Sequence, residues 1–152
     1  MAALTYNAVN RSGYYLDVTS KVKFATASQS RTLGSGKNDY AMQIDGEKSI
    51  GATFITAGIG YKWLGDAVNG GMQTLWYSAI GAGHKFSADT TLGASYNYSA
   101  AAQAGGQVAK EAVIYLSHRL DKNFRLNTNL IKGLSNGSAD WGLGMSISYS
   151  FF

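Results

Sequence analysis

Two histidines and nine acidic residues carry whatever acid–base chemistry this chain can do. Cysteine is absent, which excludes a thiolate metal site, a cysteine nucleophile and a disulfide scaffold. His84 and His118 would need a partner such as serine to work as a hydrolytic acid–base pair. Both stand near short turns on the apolar register, where interface side chains belong. Asp39, Asp45 and Glu47 share one strand face at a spacing that suggests metal or general-acid chemistry. Alternate carboxylates inside β-structure are more often ion-paired scaffolding. Gly34 and Gly36 with Lys37 resemble a phosphate loop only superficially, because no strand-to-helix context follows. No catalytic residue, metal ligand or cofactor is therefore expected, and the chain is not read as an enzyme.

The elements that would position these groups are strands. Strict apolar–polar alternation, the mark of a half-buried strand, recurs along all 152 residues. Leu16, Val18, Val22 and Phe24 oppose Asp17, Thr19, Lys21 and Lys23. Tyr40, Met42 and Ile44 oppose Asp39, Gln43, Asp45 and Glu47. Ile55, Ala57, Ile59, Tyr61 and Trp63 oppose Thr56, Gly58, Gly60 and Lys62. Trp76, Ile80, Ala82 and Phe86 oppose Gly81, Gly83 and Lys85, with Leu75 and Tyr77 blurring the pattern. Leu92 to Tyr98, Ala112 to Leu120, Phe124 to Leu130 and Trp141 to Phe151 alternate in the same way. A weaker strand, Leu4 to Ala8, precedes them, so residues 1–9 are a doubtful part of the wall. Short connections near Asn10–Gly13, Lys48–Gly51, Ala88–Thr90 and Asp121–Asn123 alternate with long ones near Ala27–Asn38, Gly65–Gly71, Ala100–Val108 and Ser135–Asp140. One domain spanning residues 1–152 fits this meander of antiparallel hairpins.

Composition bears on which face is inside. Charged residues make up 14% of the chain, against about 25% in an ordinary soluble domain. Mean hydropathy is nevertheless only −0.10, because Gly, Ser, Asn and Thr fill the polar share. Net charge is +4 and the isoelectric point about 9.3. No lysine–arginine run marks a nucleic-acid surface. No stretch is apolar enough for a membrane helix, and Met1-Ala2-Ala3-Leu4 has no leader pattern. That start fits a cytosolic protein, or a mature or trimmed form of an exported one.

Alternation fits a soluble barrel with an apolar core or a membrane barrel with an apolar exterior. Three features favour the membrane. The polar face is small and sparsely charged, as a narrow lumen requires. Aromatics stand at the ends of the apolar face: Phe24, Tyr40, Tyr61, Trp63, Trp76, Tyr98 and Trp141 next to long connections, and Phe86, Phe124, Tyr149 and Phe151 next to short turns or the C-terminus. Trp141 and Phe151, ten residues apart, would span about 25 Å along the normal of a tilted strand, the height of a lipid-facing band. Third, the chain ends in an alternation finishing Tyr149-x-Phe151. This is similar to the C-terminal signal of bacterial outer-membrane barrels, with Phe152 as one residue beyond the expected terminus.

Several strings also resemble a family of Gram-negative outer-membrane "transporter" proteins associated with degradation of phenol and other aromatic compounds. They are residues 33–45 (LGSGKNDYAMQID), 61–66 (YKWLGD), Trp76-Tyr77 and 133–142 (GLSNGSADWG). The resemblance runs from about Val22 to the C-terminus. It implies an outer-membrane β-barrel and passage of small hydrophobic or aromatic molecules, with this chain as the C-terminal part or a shortened form.

The expected fold is thus all-β, an antiparallel up-and-down transmembrane barrel of eight to ten strands. Its lumen would hold Asp17, Lys21, Lys23, Gln43, Asp45, Glu47, Lys62, Arg119 and Arg125. Arg119 and Arg125 are expected to cross the lumen to carboxylates of the early strands. The expected partners are outer-membrane lipid and lipopolysaccharide, the barrel-assembly machinery through the last strand, and a further copy through an unpaired edge. Two other readings stay open: a soluble barrel holding a hydrophobic ligand, and an outer-membrane lipid-modifying enzyme.

Overall fold

The computed structural model describes residues 1–25, 36–65 and 74–150. Among these residues it is all-β: nine strands form one antiparallel sheet in sequence order. They are β1 (Ala2–Arg11), β2 (Tyr14–Lys23), β3 (Asp39–Ile50), β4 (Thr53–Trp63), β5 (Leu75–Lys85), β6 (Thr90–Ser99), β7 (Ala109–Arg119), β8 (Phe124–Gly133) and β9 (Trp141–Tyr149).

The turns explain the meander. The β1–β2 link turns at Gly13 with φ 78°, and the β3–β4 link at Gly51 with φ 62°. Both values lie in the left-handed region that tight hairpins use and glycine tolerates. In the β7–β8 turn Asp121 Oδ1 accepts from the amides of Asn123 and Phe124 at 2.7 and 2.8 Å. Ser87 Oγ plays the same part toward the amides of Asp89 and Thr90 between β5 and β6, at 3.1 and 3.0 Å. These four turns lie along one rim, and the strand ends joined by the longer connections lie along the other.

β1 is a full strand rather than the weak segment expected. Its register jumps from Asn7↔Asp17 to Val9↔Leu16, so Ala8 is a one-residue bulge. A bulge inverts the alternation beyond it. Leu4, Tyr6 and Val9 therefore share a face, although simple alternation separates them.

Each strand meets only its sequence neighbours, so among the described residues β1 and β9 do not meet and the sheet is not closed. Both are odd-numbered in an antiparallel order, so they run in the same direction. The polar face is concave, since residues from β2 to β7 line one cavity. The apolar face looks outward and is bare. Ile59, Ile80 and Ile114 are 56%, 59% and 55% exposed, and the only buried hydrophobic side chains among the described residues are Ala41, Phe54 and Leu75.

Candidate functional site

The chemistry gathers on the concave face. At the long-connection end a cavity of about 510 Å³ is lined by Lys21, Lys23, Lys62, Asp39, Gln43, Tyr77 and Glu111, among others. At the short-turn end a second cavity, of about 530 Å³, takes in Asp17, Asp45, Glu47 and Lys85. On the concave face of β2–β4, Lys21, Lys23 and Lys62 thus stand toward one rim beside Asp39, and Asp17, Asp45 and Glu47 toward the other.

Gln43 joins the two ends. Its Oε1 accepts from Lys21 Nζ at 2.6 Å and from the Tyr77 hydroxyl at 3.0 Å. Its Nε2 donates to both oxygens of Asp45 at 2.7 Å. The orientation is chemically self-consistent, with the carbonyl toward a cation and the amide toward an anion. Asp39 is buried; it takes Lys23 Nζ at 3.3 Å and accepts from the Gly65 amide at 3.0 Å. Asp17 accepts from Asn7 at 2.6 Å, and Glu47 from Ser49 at 3.2 Å. Lys62 has no hydrogen-bond or ion-pair partner among the described residues.

The inward glycines have a structural use. Tyr77 stands directly across from Gly60, Phe54 from Gly83 and Tyr115 from Gly93. A Cβ on any of these glycines would collide with the ring opposite. Each missing side chain leaves room for an aromatic ring to lie along the sheet, as in aromatic rescue of strand glycines.

The arginines do not cross to the early strands. Arg119 pairs with Asp89 of the β5–β6 turn at 3.7 Å, with both side chains about half exposed. Arg125 donates to Ser117 Oγ at 3.1 Å. The two arginines are direct cross-strand neighbours, and each has an acceptor closer at hand than any carboxylate of β2 or β3.

Of the expected lumen set, Asp17, Lys21, Lys23, Gln43, Asp45, Glu47 and Lys62 gather along β2–β4, while Arg119 and Arg125 stand apart on β7 and β8. Tyr77, Leu75 and Glu111 belong to the cavity and were not among the expected residues. Tyr77 and Leu75 keep the inward parity of Gly81 and Gly83, and Glu111 that of Tyr115 and Ser117, which is the signal that could have found them.

The outward aromatics form two bands. Toward the long connections Tyr61 packs on Trp63 at 5.0 Å between ring centroids, Trp76 on Tyr98 at 4.5 Å, and Lys132 over Trp141 at 4.5 Å. Phe24 and Tyr40 are exposed at the same rim. Toward the short turns Phe124 packs on Tyr149 at 4.9 Å and Phe86 on His84 at 4.8 Å. Phe151 lies outside the described residues. His84 Nδ1 meets Thr53 Oγ1, and His118 Nδ1 meets Thr90 Oγ1, each at 2.9 Å and across strands. Both rings stand on the outward register, away from the two cavities. No protein-family model and no curated protein matches the chain.

Proposed function

We propose that the chain is a small outer-membrane β-barrel protein of Gram-negative bacteria, of transporter type, with its concave polar face as the lumen. It would pass or hold small hydrophobic or aromatic molecules, without catalysing a reaction. The observation that carries the reading is the bare apolar exterior bounded by two aromatic bands. Exposed isoleucines in the middle and amphipathic rings at both ends suit a lipid core between two interfaces. Strands of nine to twelve residues match the roughly 9–11 residues a tilted strand needs to cross. The same exposure counts against a soluble barrel, which would bury that face.

Lipid tolerates no free sheet edge. Because β1 and β9 run the same way, one further strand antiparallel to both would close the wall, and a second copy is one source of it. Lipopolysaccharide would meet the long-connection rim, and the assembly machinery would read β9. The long connections, including Asp66–Gly71 and most of Ser28–Asn38 outside the described residues, would face the exterior.

The test is folding of the purified chain into nonionic detergent, followed by gel electrophoresis with and without heating. A heat-dependent band shift with a β-type circular dichroism spectrum is expected. A monomer fully soluble in plain buffer would sink the membrane reading.

A further inference from the structure

We propose that the cavity at the long-connection end binds a small organic monoanion, a carboxylate on an apolar or aromatic body. The inference deepens the transport reading and rests on it for placing this cavity at the outer mouth of the lumen. Its core is one cross-strand row. Lys21 is paired in register with Ala41, Ala41 with Lys62, and Lys62 with Leu75. Two lysine positions thus flank a buried alanine, whose small side chain leaves a slot between them. Two strand spacings separate the lysine backbones, roughly 10 Å, so a carboxylate over Ala41 can take a hydrogen bond from each side.

Among the described residues Lys62 has no partner of its own, whereas Lys21 gives one of its three protons to Gln43. Lys23 is already engaged by Asp39. Beside the slot, Leu75 and the Tyr77 ring supply an apolar wall for the body of the ligand. A volume of about 510 Å³ falls within the roughly 300–1,000 Å³ of small-molecule sites. Glu111, three strands further along, has no hydrogen-bond or ion-pair partner among the described residues and faces the same cavity. A second negative charge on the ligand would meet it, so the site favours a monoanion over a dianion.

The probe is 4-fluorobenzoate observed by fluorine NMR, added to the full chain prepared in nonionic detergent and, in parallel, in plain buffer. Circular dichroism identifies the preparation that holds the sheet, and binding is measured there. A chain that folds only in plain buffer therefore ends the membrane reading while still testing the site. Saturable binding is expected, weakened roughly tenfold or more by Lys62→Met or Lys21→Met. Lys122→Gln, in an exposed short turn, should leave it unchanged. The uncharged isostere 4-fluorobenzyl alcohol should bind roughly tenfold more weakly or not at all. Fluorophthalate should bind more weakly than the monoacid, and Glu111→Gln should narrow that difference. Equal binding of acid and alcohol to the unmodified chain overturns the proposal whatever the variants do. So does the absence of saturable binding, or a loss with Lys122→Gln as large as with Lys62→Met, which would mark a general charge effect.

Discussion

Tyr77 lies across Gly60 on the neighbouring strand and donates its hydroxyl to Gln43 at 3.0 Å. The ring can reach Gln43 only because position 60 has no side chain. Gly60→Ala would force the ring out of this place, and overpacking of this kind costs about 1–3 kcal/mol. Tyr77→Phe keeps the ring and removes one of two donors to Gln43 Oε1, so a loss of about 1 kcal/mol is expected. Denaturant midpoints in detergent rank the two. A Gly60→Ala protein as stable as the parent would mean that Tyr77 has other room.

Gln43 holds Lys21 on one side and Asp45 on the other. Replacing it by methionine keeps the length and strips both hydrogen-bonding ends. The cation and the carboxylate then lose a shared partner, and about 1–3 kcal/mol of stability should go with it. Asp45→Asn should cost less, since an amide still accepts from Gln43 Nε2. Parallel unfolding curves check the order, which a reversal would contradict.

Much of the sheet is legible in the residues because alternation reports which side of a strand each side chain takes. Strands β2 to β9 and both kinds of connection follow from it. β1 does not, since the bulge at Ala8 puts Tyr6 and Val9 on one face despite their odd spacing. Inward rings such as Phe54 and Tyr77 also escape a pattern that equates apolar with outward. Their fitness depends on glycines of the adjacent strand, at sequence separations of 29 and 17 that only register brings together. The charged residues on the concave face of β2–β4 are readable from parity alone. Their partners are not, because choosing Asp89 over an early-strand carboxylate for Arg119 is a matter of three-dimensional reach.

Arg119 and Arg125 stand opposite one another on β7 and β8, and like charges placed so are unfavourable. With Arg125 half-buried and held by Ser117, and by no carboxylate among the described residues, Arg125→Ala should cost about 1 kcal/mol, the worth of one ordinary hydrogen bond. A thermal melt in detergent measures this. A loss of several kcal/mol would reinstate a crossing ion pair.

The two exposed long connections should differ under protease. Around 134–140 the chain is stitched to β7: Leu134 donates its amide to Lys110 O at 2.8 Å. Ser135 and Ser138 both accept from the Lys110 amide at 2.9 Å, and Ser135 donates onward to Val108 O at 2.8 Å. Residues 103–107 are exposed one after another, whereas Ser135 and Ser138 are half-buried. Proteinase K on the folded chain in detergent should therefore nick Ala101–Gln107 before Ser135–Ala139. On cells displaying the protein, both sites should lie outside. Cuts confined to Lys48–Gly51 and Asp121–Asn123 would invert the topology.

Ile59 tests the outward face directly. It is 56% exposed at mid-strand, paired with Ile44 on one side and Ser78 on the other. If this face meets lipid, Ile59→Lys places a charge near the bilayer midplane at a cost of about 2–4 kcal/mol. If the face meets water instead, the same change relieves an exposed hydrophobe and leaves stability within about 0.5 kcal/mol. Lys85→Ile makes a useful contrast, since that side chain sits on the concave face and its replacement brings no charge into lipid. Reversible folding into vesicles, titrated with denaturant, separates the two cases. Ile59→Lys should lower the midpoint sharply and Lys85→Ile only slightly. Equal, small effects would mean that the apolar face is not lipid-facing and that another surface covers it.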